Sequence, residues 1–226
     1  MDASTTRHDV VVLAGGDIVT AAIASRLPTP AWTIAADSGL HQATVLGLDV
    51  THVVGDLDSV DAATLAAAVD AGARVDRYPA AKDQTDLEIA LDTARSLTPA
   101  RIFVVGGHGG RLDHFLANFA VIAAAARDNC SVVAYCGTAL ITVVTREATL
   151  TGRPGALVSL LPIGGPARQV STRGLGFPLD SEDLLPGASR GVSNTFVGTT
   201  AEVTVAAGTL LAIQPDELST NADPRM

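Results

Sequence analysis

The chain has 226 residues, 47% hydrophobic, 17% charged and 4% aromatic, enough for one large domain or a medium and a small one, and too apolar for a disordered chain. A formal net charge of −9, from 24 acids against 15 bases, with no run of Lys or Arg, excludes a surface built to grip a nucleic-acid backbone. An acidic protein that handles an anionic nucleotide needs local remedies: metal ions, helix N-termini or isolated basic residues.

Met1 to His8 is short and polar, without the basic-then-apolar arrangement of a signal segment. The apolar run Val10 to Leu13 is far too short to span a membrane. Residues 10–14 (VVVLA) run into Gly15-Gly16-Asp17, and residues 32–36 (WTIAA) run into Asp37-Ser38-Gly39. Residues 52–54 (HVV) run into Gly55-Asp56-Leu57-Asp58-Ser59, and residues 101–105 (RIFVV) into Gly106-Gly107-His108-Gly109-Gly110. Each is a short apolar run closed by turn residues, the mark of a buried strand, and residues 131–135 add another. Between them lie Ala-rich segments at 19–26, 40–46, 61–71, 84–96 and 112–127, whose composition favours helix. Strands apolar throughout and alternating with helices predict an α/β fold, a mostly parallel sheet flanked by helices, over residues 1–136.

After residue 137 the pattern changes. Short Thr- and Val-rich runs at 138–144, 146–149, 156–161, 169–172, 191–197, 201–206 and 209–213 are punctuated by Gly and Pro. They predict a small all-β sandwich domain over 137–226, with a polar, fraying tail from about 215. Cys130 and Cys136 are separated by five residues, match no metal-ligand spacing, and read as reduced thiols in a cytoplasmic protein.

Polar chemistry gathers at the strand ends, where open parallel sheets bind ligands. Asp37 reads equally as a turn or cap residue and as part of a site. Asp56 and Asp58, two apart, share one face of an extended segment and repel unless a cation lies between them. A divalent metal such as Mg²⁺ answers that repulsion. In Lys82-Asp83-Gln84-Thr85-Asp86, a helical start would turn Asp83 and Asp86 the same way. Lys82 is a candidate phosphate ligand beside its ordinary reading as a surface lysine, and Glu88 reads as a helix-surface or supporting residue. The glycines at 106–110 imply a close backbone approach, with N–H groups that can cradle phosphate, although the segment lacks the Lys and Ser/Thr of a P-loop. Arg111 can grip phosphate through two bonds, and Asp113 follows it. His108 and His114 read as hydrogen-bonding or structural residues.

Taken in order, ADSG at 36–39, GDLDS at 55–59, KDQTDLE at 82–88 and GGRLDH at 109–114, with GLGFPL at 174–179 and SNTF at 193–196, resemble the thiamine pyrophosphokinase family. The resemblance implies an ATP- and Mg²⁺-dependent enzyme that moves a diphosphate group onto thiamine and works as a homodimer, its site shared between subunits. It implies Asp56, Asp58, Asp83 and Asp86 as the metal and diphosphate centre, lined by Gln84 and Thr85. Arg111 and Asp113, with Asp37, Lys82, Gly109 and Gly110, would hold nucleotide or thiamine nearby. Phe177, Ser193 and Asn194 would lie on the thiamine side. Many eukaryotic members have Trp at the position of Phe177, so this chain keeps a stacking face and lacks the indole N–H. Two other activities fit part of the pattern: a diphosphokinase acting on a hydroxymethyl-pterin alcohol, and a non-catalytic thiamine or nucleotide sensor. GLGFPL and SNTF favour thiamine over the pterin, and the full acidic set disfavours a sensor.

Overall fold

The computed structural model describes residues 8–127 and 129–218. Met1 to Arg7 and the tail beyond 218 lie outside the described residues, together with most of what the sequence suggests about them. The chain divides into two compact units. The first is the described chain through Ala125 with Asn129–Val132, and the second is the remainder.

The first unit is an α/β fold. Its strands are β1 (Asp9–Leu13), β2 (Trp32–Ala36), β3 (His52–Gly55), β4 (Arg74–Arg77) and β5 (Arg101–Val105). All pair in parallel, in the order β4-β3-β2-β1-β5. Val10, Val11, Val12, Ile102, Val104 and Val105 are fully buried, each contributing about 1.5–3 kcal/mol of hydrophobic stabilisation. The helices are α1 (Leu40–Leu46), α2 (Ala62–Asp70), α3 (Asp86–Ser96) and α4 (Leu112–Ala125). α1 stops at Gly47, which takes the left-handed conformation its C-terminus requires. Asp61 caps α2 by accepting the Thr64 N–H at 2.8 Å, and Thr85 caps α3 by accepting that of Glu88 at 3.2 Å. Leu87, Ile89, Ala90, Leu91 and Ala94 bury one face of α3, which packs on β1, β2, β3 and α4. Among the described residues, no helix is long and apolar enough to cross a membrane.

Local outcomes differ from the sequence expectations where context overrides pattern. The helix expected at 19–26 is a 3₁₀ helix over Ala21–Arg26, cut short because Pro28 and Pro30 follow. β4, sequence RVDR, has no apolar run because it is the sheet's half-exposed last strand.

The second unit is β-rich. Its strands are β6 (Ser131–Cys136, entering this unit at Val133), β7 (Ala139–Val144), β8 (Glu147–Thr151), β9 (Leu157–Arg173), β10 (Glu182–Leu184), β11 (Asn194–Thr195), β12 (Thr200–Thr204) and β13 (Ala207–Gln214). β13 pairs antiparallel with β7 and with the first part of β9, while β12 pairs with β8 and the end of β9. The sequence suggested separate strands at 156–161 and 169–172. They are one 17-residue strand, bent by positive φ at Gly164, Gly165 and Gln169, so Gly-Gly-Pro marks a bend and not an end. Side chains from both sheets, including Val144, Leu160 and Leu210 from one and Leu150, Val170 and Val203 from the other, meet in one core. The strand expected over 191–197 is reduced to Asn194–Thr195, paired with β9, and a bridge between Phe196 and Leu175, because positive φ at Gly191 and Ser193 turns the preceding backbone away from the ladder.

Candidate functional site

The strand order of the first unit reverses between β1 and β5: the chain winds outward from β1 to β4 and then returns to β1's other side. Such a reversal opens a crevice at the carboxyl ends of the strands. Backbone bonds join the loops after β1 and β5 there, with Ala14 N–H donating to Val105 O at 2.8 Å, Gly107 N–H to Gly15 O at 2.8 Å and Asp17 N–H to His108 O at 2.7 Å. At Gly106 (φ 99°) a Cβ would fall 2.4 Å from Ala14 O. This glycine therefore serves the close approach of two protein loops. Gln42, fully buried in α1, ties the first loop down: its Oε1 accepts the Val19 N–H at 3.0 Å and its Nε2 donates to Asp17 O at 3.1 Å.

The crevice has a volume of about 760 Å³, in the range of small-molecule sites, and its walls include Asp37, Asp56, Asp58, Lys82, Asp86 and Arg111. Carboxylate oxygens of Asp37, Asp56 and Asp58 all lie within 4.8 Å of one another. Asp37 follows β2 with a strained φ of 46°, and its Oδ1 is buried without a hydrogen-bond partner. Burial raises its pKa above the usual carboxylate value, and the charges of Asp86, Asp56 and Asp58 raise it further against one bond from the Ser38 backbone. Asp56 and Asp58 are not gathered by an extended segment. Leu57, buried and at φ 63°, turns the chain between them, and Asp56 Oδ1 accepts the Asp58 N–H at 3.3 Å. That bond, assisted by the Lys82 charge, lowers the Asp56 pKa despite desolvation.

Lys82 is not a surface lysine: its side chain is 13% exposed, with Nζ 3.0 Å from Asp86 Oδ1 and 3.5 Å from Asp56 Oδ2. The Asp86 contact is a close ion pair to an oxygen sealed from solvent. Burial pulls the ammonium pKa down, but Asp86 and Asp56 outweigh it and hold it above the ordinary lysine value. Gly55, at φ 141°, makes room for this arrangement: a Cβ there would sit 3.0 Å from Asp86 Oδ1 and 3.2 Å from Asp37 Cβ.

The other residues named from sequence fall as follows. Gln84 lines the crevice, and its Nε2 donates to Asp92 at 3.0 Å. Thr85 lines it while its hydroxyl caps α3. Asp83 is exposed and outside the crevice walls. Gly109 and Gly110 lie on the wall. Arg111 forms a two-bond pair with Asp113, at 3.1 and 2.5 Å. That pair holds the exposed Asp113 at a pKa of about 2. His114 lines the crevice, and His108 packs edge-on against Phe115. Glu88 lies on α3 and supplies the backbone N–H that Thr85 accepts. Sequence reasoning passed over Asn118 of α4, which lines the crevice and donates to Gly107 O at 3.1 Å, and Gln42. The available signal for Gln42 was an amide close behind the ADSG turn, at the start of α1.

In the second unit, Phe177 is 62% exposed beside a depression of about 440 Å³ that Arg190, Val192, Ser193 and Asn194 help to line. Asn194 is buried, and its side chain makes three bonds to backbone. Oδ1 accepts the N–H groups of Phe177 and Thr195, both at 2.9 Å, and Nδ2 donates to Phe177 O at 2.7 Å. The Arg190 guanidinium bridges Glu182 at 2.9 and 2.8 Å. The depression thus offers an open aromatic face next to an already neutralised cation.

Residues 25–134 match the model of the thiamin pyrophosphokinase catalytic domain, and residues 141–210 match that of the thiamin pyrophosphokinase vitamin B1 binding domain. The thiamine pyrophosphokinase of Bacillus subtilis is 25% identical over 191 residues, covering 78% of this chain and 85% of that one. Its crystal structure aligns with a TM-score of 0.79 at 23% identity, over 91% of this chain and 98% of that one. The yeast thiamin pyrophosphokinase structure aligns with a TM-score of 0.72 at 15% identity, over 94% and 87%. With one model on each unit, in the same order and across most of its length, the chain belongs to the thiamine pyrophosphokinase family.

Proposed function

We propose that the protein transfers the diphosphoryl group of ATP to the hydroxyl of thiamine, releasing AMP, with Mg²⁺ bound at the acidic crevice. The observation that carries this reading is the convergence of Asp37, Asp56 and Asp58 at the sheet's topological reversal, with a buried carboxylate oxygen lacking any partner. An all-carboxylate donor set suits a hard divalent cation, and Asp37, Asp56 and Asp58 would hold it. When bound, it supplies neutralisation of phosphate charge and orientation of the phosphate chain.

The chain's own groups define the rest of the chemistry. Lys82 and Arg111 are the crevice-wall cations and would attract the nucleotide into an otherwise acidic protein. The thiamine hydroxyl oxygen forms a bond to the β-phosphorus, the β-phosphorus to α-phosphate bridge breaks, AMP departs with the bridging oxygen, and the hydroxyl proton is lost. Catalysis rests mainly on positioning and on charge neutralisation. Phe177, held open by Asn194, would carry the cationic thiamine ring by stacking and cation–π attraction. The working form in this reading is a cytoplasmic homodimer, the β-rich unit of one protomer completing the acidic crevice of the other. The test is AMP release and thiamine diphosphate formation by purified protein with ATP, Mg²⁺ and thiamine. Turnover of a hydroxymethyl-pterin but not of thiamine, or no turnover of either, refutes it.

A further inference from the structure

Lys82 is the single lysine among the chain's 15 Lys and Arg residues, and unlike Arg111 on the same crevice wall it is largely buried. Its ammonium reaches Asp86 at 3.0 Å and Asp56 at 3.5 Å, and the three side chains are 13%, 25% and 19% exposed. Asp56 is held in common by two groups. Its Oδ2 faces Lys82, yet it is also one of the three carboxylates clustered within 4.8 Å. A dication among those three and the Lys82 ammonium therefore draw on the same carboxylate charge. A lysine suits a contact that must be given up, because a compact ammonium on a flexible stem turns easily, whereas a guanidinium would lock two carboxylates in its fork.

We propose that Lys82 is a resident counter-cation: it holds Asp56 and Asp86 together in the metal-free protein and yields Asp56 when a divalent cation enters the crevice. Lys82 is in this respect a positioning residue, and the ammonium so released stays at the wall facing incoming phosphate. The inference rests on the reading of the crevice as a divalent-cation site.

The composition provides an unusual test. Growth on [¹⁵N]lysine labels one side-chain ammonium in the intact protein. Its NMR signal is followed during Mg²⁺ titration, without nucleotide and then with a non-hydrolysable ATP analogue, while calorimetry reports Mg²⁺ occupancy. The signal is expected to shift and to exchange faster with water in step with Mg²⁺ occupancy. Lys82→Met should bind Mg²⁺ at least about fivefold more tightly than wild type, since a competing positive charge a few ångströms away is gone. Lys82→Arg should bind it more weakly than wild type. Arg111→Met removes a wall cation already paired with Asp113 and should change affinity less than about twofold. An ammonium signal unmoved while Mg²⁺ is bound, or a Lys82→Met affinity no tighter than that of Arg111→Met, overturns the proposal and leaves the cation site standing. Should the Met variant not fold, the labelled wild type decides alone. Failure of wild type to bind Mg²⁺ under either condition removes the cation site itself.

Discussion

Asp37→Asn should make the metal-free protein more stable and the enzyme inactive. The substitution preserves shape: asparagine tolerates the left-handed conformation that Asp37 adopts at φ 46°, and its oxygen can still accept the Ser38 N–H. What disappears is one charge whose oxygen lies within 4.8 Å of those of Asp56 and Asp58. Two like charges at that distance repel by about 1 kcal/mol in bulk water and about 3.5 kcal/mol at an effective dielectric of about 20. Asp58 is exposed and Asp56 half-buried, so the lower figure governs, and two pairs less screening give a gain of about 1–2 kcal/mol. For a chain of this size that is an increase in Tm of about 2–8 °C. The assay is thermal unfolding in chelator at low salt, repeated with Mg²⁺. The sign of the pH dependence follows from burial raising the Asp37 pKa above its ordinary 3.8. The wild type's penalty is fully present above the raised value and gone below 3.8, so the variant's advantage should vanish as the pH falls through that window. Mg²⁺ should then stabilise wild type more than the variant. A variant less stable than wild type in chelator, or equal Mg²⁺ stabilisation of both, would refute the reasoning.

Asp58→Asn should leave the far-ultraviolet circular dichroism spectrum unchanged and lower kcat by at least about 100-fold, on the scale of losing one preorganised electrostatic contact; unchanged turnover removes Asp58 from the mechanism. Phe177→Ala should weaken thiamine binding with little effect on ATP affinity, measured by calorimetry with each ligand. Asn194→Ala strips partners from both backbone groups of Phe177 and should cost about 1–3 kcal/mol in denaturant unfolding as well as thiamine affinity. Gly106→Ala places a methyl 2.4 Å from Ala14 O at a φ of 99°, and should cost several kcal/mol or abolish soluble expression.

The parallel sheet was legible because four of its strands are short apolar runs that end in Gly or Asp. β4 was not, because an edge strand half open to water can be written RVDR. The meeting of Asp56 and Asp58 was legible from spacing, although the device is a turn through buried Leu57 and not a pleat. Asp37 could not be assigned from the chain alone: its partners lie about twenty residues away, and only the parallel pairing of β2 with β3 brings ADSG beside GDLDS. The same holds for Lys82, whose burial arises from the approach of the segment before α3 to the end of β3. The glycines at 106–110 were legible as a close backbone approach, but not that at Gly106 the approach is to the carbonyl of a neighbouring loop.

The long strand β9 has a mechanical consequence. It pairs with β10, β11, β12 and β13, so its loss takes a partner from four strands at once. Amides along β9 should become deuterated together and last, with a single rate for the segments on either side of the Gly164-Gly165 bend. A polypeptide nicked at that bend would be expected to come apart as a whole rather than to shed one sheet.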